Sequence, residues 1–508
     1  MTASISRRTL LASSAAVAIL GVPQLTACTT FNDRAPIDTV GKVDFLTPLP
    51  IPPIAESTVA NGIRTFALEA KTGTSEFIAG KSTPTWGYNG AFLGPTLRAT
   101  TGETVRVKVA NNLPEATTVH WHGMKLPAAM DGGPHQTIHP GDSWTAEWTV
   151  EQPSATVWYH PHPHGQTEAH VQHGLAGLFI LDDTDDPAEL PHEYGVDDIP
   201  VVLQDRSFES NGTFATPDRA VSGLVGDTIL VNGAIGPVLT VASERTRLRI
   251  LNGSSARVYN LGWSNDQDIT VIATDSGLLR KPQTTDRVLL SPGERVEILF
   301  DGSAGETVIL RSHPQDLRMG KAMSDGAGAN DTLDLLQVVA AATLTPAVPL
   351  PLTLIEDNLF ASIASATIQE SRRFELSGTL INGKAMDMKR IDHVLAAGAY
   401  ETWMVRNIHS QVHNFHVHNA RFRILSIENA EPPAYLQGWK DTVLLPAGQT
   451  ANLAVTFGDY TDPDLPYMYH CHLLWHEDQG MMGQYTIVDR KDVDDAPRSI
   501  NVDAGMQH

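Results

Sequence analysis

His470-Cys471-His472-Leu473-Leu474-Trp475-His476-Glu477-Asp478-Gln479-Gly480-Met481-Met482 places a thiolate between two imidazoles, with a third imidazole and a thioether downstream. One Cys, two His and a weak axial Met form the ligand set of a blue-copper electron-transfer site. That set also needs a His from elsewhere in the chain, and the flanking pair, His470 and His472, is left over. On an extended strand, residues i and i+2 share a face and i+1 points the other way. Cys471 can therefore serve one centre while His470 and His472 face a second, with the backbone joining the two.

Three more segments use the same spacing: His120-Trp121-His122, His160-Pro161-His162 and His416-Val417-His418. The four pairs bring eight imidazoles, too many for one ion. Shared among three coppers they leave positions open for dioxygen or water. His413 lies three residues before His416 and has the opposite strand parity, so it is expected on the Cys471 side. A lone pair of this kind is more often a hydrogen-bonded strand pair than a metal site. Four in one chain, one wrapped around a cysteine, reverse that weighting.

On these motifs the chain resembles the multicopper oxidases, of the bacterial group that includes the periplasmic cuprous oxidase, the spore-coat laccase and bilirubin oxidase. The likeness is densest from His413 to Val488, including Gly438-Trp439-Lys440-Asp441-Thr442-Val443. It recurs at His120 to Pro134, Trp158 to Gly165 and Gly174 to Ile180. The resemblance implies four coppers. Type 1 takes His413, Cys471, His476 and Met481, and type 2 takes His120 and His416. The type 3 pair takes His122, His160, His162, His418, His470 and His472. It further implies that Asp131 and Glu477 serve proton delivery, and that Asp441 lies near the type 1 histidine and the reductant. A turn residue before Gly132-Gly133 is the plain alternative for Asp131, and a surface turn residue for Asp441.

Other histidines are expected to be bystanders: His164 beside the cluster or facing solvent, and His135, His139, His170 and His173 at the surface. Met482 is expected to pack. Met319 and Met323 have helical i, i+4 spacing, with core or surface filling as their expected role and a labile cuprous site as the minority reading.

Beyond about residue 45, short alternating runs are broken by Gly, Pro, Asn and Asp. Thr104-Val105-Arg106-Val107-Lys108-Val109 and Thr246-Arg247-Leu248-Arg249-Ile250-Leu251 are examples, and they predict an all-β chain of sandwiches. A weak repeat occurs three times. Gly94-Pro95-Thr96-Leu97 leads to Asn111, Asn232-Gly233 through Leu239 to Asn252, and Asn382-Gly383 through Trp403 to Asn407. Three copies imply three like domains, expected at 46–185, 195–345 and 350–490, with a tail at 491–508. The resemblance makes them cupredoxin-like Greek-key β-sandwiches. The middle copy carries no paired-histidine motif and reads as a spacer. The cluster is then expected between the first and third domains.

A formal charge of −22 argues against a nucleic-acid partner, which needs a basic footprint. Residues 1–45 read as signal and tether. Arg7-Arg8 before a short apolar run resembles a Tat export signal, and the run is too short to span a membrane. Leu25-Thr26-Ala27-Cys28 resembles a lipobox, which would anchor a monomeric, periplasmic protein through lipid at Cys28. With Cys471 committed to metal, the two cysteines form no disulfide.

Together these features predict an oxidase that couples one-electron oxidation of phenols and aromatic amines, with cuprous ion as a further donor, to reduction of dioxygen to water. The reductant is a small molecule or metal ion. A dedicated cuprous oxidase carries a Met-rich insertion before its last domain, and only Met319 and Met323, then Met386 and Met388, occur here. Two more functions compete with the oxidase: a copper-binding lipoprotein without turnover, and a structural relative that has lost its coppers. The complete ligand set argues against the second of these.

Overall fold

The computed structural model describes residues 34–216, 220, 222–356 and 370–501. The expected signal and lipobox at Ser6 to Cys28 lie outside the described residues. Among the described residues six sheets account for the strands, and they associate in pairs. In the first pair, Phe66, Val107 and Trp148 of one sheet share a buried cluster with Leu97, Val157 and Phe179 of the other. The alternation at Thr104–Asn112 supplies this core, since Val105, Val107 and Val109 are buried at every second position. Equivalent clusters fill a middle sandwich and a third.

The sequence repeat corresponds to a repeated topology. The strand ending the repeat pairs in parallel with an earlier strand of its sandwich: Ile63–Ile78 with Thr104–Asn112, Asp198–Arg206 with Arg245–Asn252, and Glu370–Ser377 with Tyr400–Asn407. The terminal asparagine then closes a turn. Nδ2 of Asn111, Asn252 and Asn407 donates to carbonyls of the following loop and of a segment distant in sequence: Glu115 and Ile138, Arg257 and Leu290, Gln411 and Leu445. Each Oδ1 accepts the N–H two residues on. Buried backbone groups must find partners, and a side-chain amide satisfies both signs where the strand ends. This explains why Asn recurs at the end of the repeat.

Arg245–Asn252 departs from its expected alternation, because both of its faces are buried. The polar face meets the first sandwich. Arg249 pairs with Asp198 at 2.6 Å and reaches Thr156 Oγ1 at 3.0 Å, and Arg247 pairs with Glu297. Long arginines can be buried here only because each charge is paired.

Two cross-strand pairings set the metal-site geometry. His120–His122 runs antiparallel to Ala155–His160 with His120 opposite His160. In the third sandwich His413–Val417 runs antiparallel to Asp462–His470 with His416 opposite His470. Each sandwich thus presents a facing pair of histidines where the two meet.

Candidate metal centres

The first centre lies within the third sandwich. Nδ1 of His413 and Nδ1 of His476 are 3.1 Å apart, and Cys471 Sγ lies 3.7 and 3.6 Å from them. Strand parity puts His413 there, as expected. His476 arrives from the short helix Leu474–Asp478. Backbone bonds then close the loop: Cys471 N–H donates to the Met481 carbonyl (3.1 Å) and Met481 N–H to the His476 carbonyl (2.9 Å). Met481 is fully buried in the apolar cluster that holds Cys471. Met482 begins the next strand, opposite His470.

Burial pushes the Cys471 thiol up to about 12, so a free thiolate is disfavoured there. It pushes His413 well below the ordinary imidazole range. Two imidazole nitrogens and a sulfur face one another in a dry pocket, and a soft cation there would take both lone pairs and stabilise the thiolate that burial alone disfavours.

The second centre is a cage of eight histidines between the first and third sandwiches, all buried. His162, His418 and His470 converge: Nε2 of His470 is 3.2 Å from Nε2 of His162 and 3.1 Å from Nε2 of His418. A second triad joins His122, His160 and His472, with Nε2 of His160 and His472 3.4 Å apart and the His122 and His472 rings 4.9 Å apart. Nε2 of His120 and of His416, with ring centres 6.0 Å apart, have no hydrogen-bond partner.

The opposite ring nitrogens show which ones are free to ligate. Nδ1 of His120, His160, His416 and His470 donates to the carbonyls of Asp131, Pro161, Asp441 and Cys471. Nδ1 of His418 donates to Asp131 Oδ2 at 2.7 Å. Their Nε2 atoms are then bare lone pairs. At 3.1 Å, the bare Nε2 atoms of His418 and His470 repel unless a cation lies between them. His122 is reversed: Nε2 meets Asp441 Oδ1 at 3.1 Å, and Nδ1 is the atom without a partner. The donor set therefore fits copper at both centres. Burial lowers His120, His122, His160, His162, His418, His470 and His472, His162 to about 4, so these seven are neutral ligands at neutral pH.

The carboxylates differ in kind. Asp131 is buried against His418, and desolvation raises it well above the usual range. Glu477 accepts from the Thr167 hydroxyl (2.7 Å) and lies 3.3 Å from His162 Nδ1 and 3.2 Å from His470 Nδ1. Burial raises it too, against the opposing pull of His162. Both can hold a proton beside the cage. Asp441 corrects an expectation: it does not stand near the mononuclear histidines or at a surface. It is fully buried between His122 and Arg295. Burial would raise it, but Arg295 and then His122 outweigh that and hold it well below the carboxylate range.

Three matches to families described as multicopper oxidase cover residues 69–186, 201–308 and 356–491. The chain belongs to the multicopper oxidase family. It is 37% identical over 447 residues to multicopper oxidase mco of Staphylococcus haemolyticus, covering 86% of this chain and 91% of that one. It is 34% identical to the cell division protein FtsP of Dickeya dadantii, covering 86% and 92%. A laccase-like multicopper oxidase CueO of Ochrobactrum sp., with activity towards lignin model compounds, superposes with TM-score 0.77 at 36% identity, covering 87% and 100%. The three sandwiches are accordingly cupredoxin-like domains, and this multicopper oxidase is a copper oxidoreductase that uses dioxygen.

Several expectations change in detail. His170 is not at the surface: it is buried between Thr117 Oγ1 (3.0 Å) and Glu115 Oε1 (2.8 Å), edge-on to Trp86. His135 is also buried, bonded to Gln484. Met323 lies in the helix Lys321–Gly326, while Met319 precedes it and packs against the cluster that holds Cys471 and Met481. Sequence reasoning missed Asn414, whose Oδ1 accepts from His472 N–H and lies 3.6 Å from Cys471 Sγ. It also missed Trp158, stacked 4.1 Å from His160, and half-buried His409, 5.7 Å from the His413 ring. Asn414 sits inside the His413–His418 motif and could have been suspected from that position. Thr167 and Arg295 carried no local signal.

Proposed function

We propose that the chain is a laccase-like oxidase that holds four coppers. At the first centre His413, Cys471 and His476 would hold one, with the Met481 thioether as a weaker donor. In the cage, His120 and His416 would hold one, and each histidine triad would hold one more. Bound copper would supply one-electron redox chemistry at the first centre and dioxygen binding at the second. The observation that carries this reading is the placement of Cys471 in one centre with its immediate neighbours His470 and His472 in the other. The backbone is the covalent link between the centres, and the contact of His470 Nδ1 with the Cys471 carbonyl (3.1 Å) adds a second connection.

The protein's own groups handle protons and access. Glu477 holds a proton at the carboxyl facing His162 and His470, with Thr167 fixing its orientation. Asp131 does the same beside His418. His413 is buried, and His409 stands half-exposed at its edge, so an electron donor meets the chain near His409. An imidazole there, with Met319 over the same cluster, suits both electron-rich aromatics and a cuprous ion. The scarcity of other methionines in this region supports a broad donor range: phenols, aromatic amines and Cu(I) without sharp preference. Export by a Tat signal, a lipid anchor at Cys28, a periplasmic location and a monomeric state belong to this proposal on the sequence alone.

Likeness to a cell division protein favours one second reading, a copper-binding protein with negligible turnover. Oxygen uptake by copper-loaded protein with a panel of donors separates the two. Comparing kcat/KM for Cu(I) and for a dimethoxyphenol, with and without added Cu(II), then tests the donor range. We expect both to be oxidised without added Cu(II). Phenol oxidation only with added Cu(II) would make the protein a dedicated cuprous oxidase.

A further inference from the structure

Arg295, at the start of the middle-domain strand Arg295–Asp301, is fully buried. Its Nε donates to the Thr156 carbonyl of the first domain at 3.0 Å. Within the middle domain, Nη1 and Nη2 donate to the carbonyls of Gly293 (2.9 Å) and Asp275 (2.8 Å). The fork then grips Asp441 of the third domain, Nη1 to Oδ1 at 2.8 Å and Nη2 to Oδ2 at 2.6 Å. One side chain thus touches all three domains and engages both oxygens of one carboxylate. Bidentate pairing fixes the plane of the carboxylate as well as its position.

That plane matters because Oδ1 faces Nε2 of His122 at 3.1 Å and also accepts from the Thr442 hydroxyl at 2.9 Å. With Nε2–H donated to Asp441, the lone pair of His122 sits on Nδ1. The five neighbours whose Nδ1 is bonded, namely His120, His160, His416, His418 and His470, present the opposite nitrogen. Gly123 records how tightly this corner is built. It adopts φ +89°, and a Cβ there would lie 2.7 Å from Arg295 Nη2 and 2.8 Å from Asp441 Oδ2. A side chain at 123 is therefore excluded by the pair itself.

We propose that Arg295 is a positioning residue: by clamping Asp441 it fixes the tautomer and orientation of His122, so the middle domain controls the loading of one copper in the cage. The inference rests on the copper reading above. A hydrogen-bond partner behind a ligating imidazole changes metal affinity by about 10–100-fold when lost, and a lysine cannot reproduce a two-point grip.

The test is copper per chain, titrated against a competing chelator, with the blue absorption as an internal reference for the fold and the other centre. Arg295→Lys should weaken one cage copper about 10–100-fold and leave the blue centre filled. Removing a buried partner can unfold a protein, so a second comparison uses Asp441→Asn. Its amide oxygen can still accept from His122 without a cation beside it. Adding Arg295→Met to Asp441→Asn should then change copper affinity less than threefold. Full cage loading in Arg295→Lys with a lowered melting temperature would overturn the proposal and leave Arg295 as a fastening between domains. So would an equal loss of copper on adding Arg295→Met in either background. Failure of the copper reading would look different, since wild-type protein would then load neither centre.

Discussion

The mononuclear centre takes His413, Cys471, His476 and Met481 from a single domain, and backbone bonds between Cys471, Met481 and His476 hold three of them in one loop. The cage takes its histidines from the first and third domains, its carboxylates from both, and the clamp on one of those carboxylates from the middle domain. The first can assemble as soon as one sandwich folds. The second requires the domains to dock in register, because His162 and His470 approach to 3.2 Å only across that interface. A local centre should therefore tolerate changes between domains that the cage does not, and the two should fail separately.

Cys471→Ser is the largest expected break in that comparison. A buried hydroxyl keeps the volume of the pocket but cannot provide thiolate–copper charge transfer. The intense blue absorption and donor oxidation should vanish, while the cage retains its copper in metal analysis. A variant that stays blue would place the mononuclear site elsewhere.

Asp131→Asn and Glu477→Gln should do the converse. Each removes a proton-holding group beside the cage and leaves every ligand in place. Positioned acids and bases contribute about 10²–10⁴-fold, so oxygen uptake at saturating donor should fall by about 10²-fold or more. Anaerobic bleaching of the blue centre should keep its rate. Unchanged turnover, with a solvent isotope effect showing that proton transfer limits the rate, would return both residues to structural roles.

A third effect concerns metal-free protein. Burial lowers His120, His122, His160, His162, His413, His418, His470 and His472 in the folded state, His162 to about 4. Unfolded histidine titrates near 6.5. Below that value the unfolded chain binds more protons than the folded one, so stability falls with pH. The raised carboxyls of Asp131, Glu477 and Asp478, the last to about 8, act the other way, but around the two centres three groups oppose eight. The melting temperature of chelated protein should drop steeply between pH 6.5 and 4, and copper should protect against this. His162→Gln should flatten the profile. A flat profile in unaltered metal-free protein would contradict the burial of the cage.

The same contrast explains what could be read in the sequence. The local centre was legible, because parity along one strand separates His413 from His416 and Cys471 from its neighbours. The histidine pairs of the cage were legible for the same reason. The supports of the cage were not. Arg295 lies far in sequence from Asp441 and from His122, and nothing around it differs from an ordinary strand end. Asp441 was noticed in its motif but expected at the wrong centre, since a turn residue after Trp439 gives no sign that a buried arginine awaits it. His170 read as a surface residue because a short helix rich in polar side chains does not reveal that Glu115 and Thr117 cover it. Arg247 and Arg249 misled in the same way: the polar face of their strand is buried only because another domain covers it.

The smallest effect lies within the local centre and separates two adjacent methionines. Met481 is buried with Cys471 and is tied by its backbone to both Cys471 and His476. Met482 is equally buried but stands in the strand opposite His470. An axial thioether donates weakly to copper, and its removal favours the reduced ion. Met481→Leu preserves volume, since leucine and methionine exchange costs less than about 1.5 kcal/mol in a core. It should therefore raise the reduction potential without emptying the centre. A shift on the order of 60–120 mV is expected, one to two factors of ten in a one-electron equilibrium. Met482→Leu should leave the potential within experimental scatter and lower the melting temperature slightly. A redox titration of the blue absorption in both variants reads the difference directly. The reverse pattern would assign the axial role to Met482, and the loop from His476 to Met481 would then close the site without contributing a ligand.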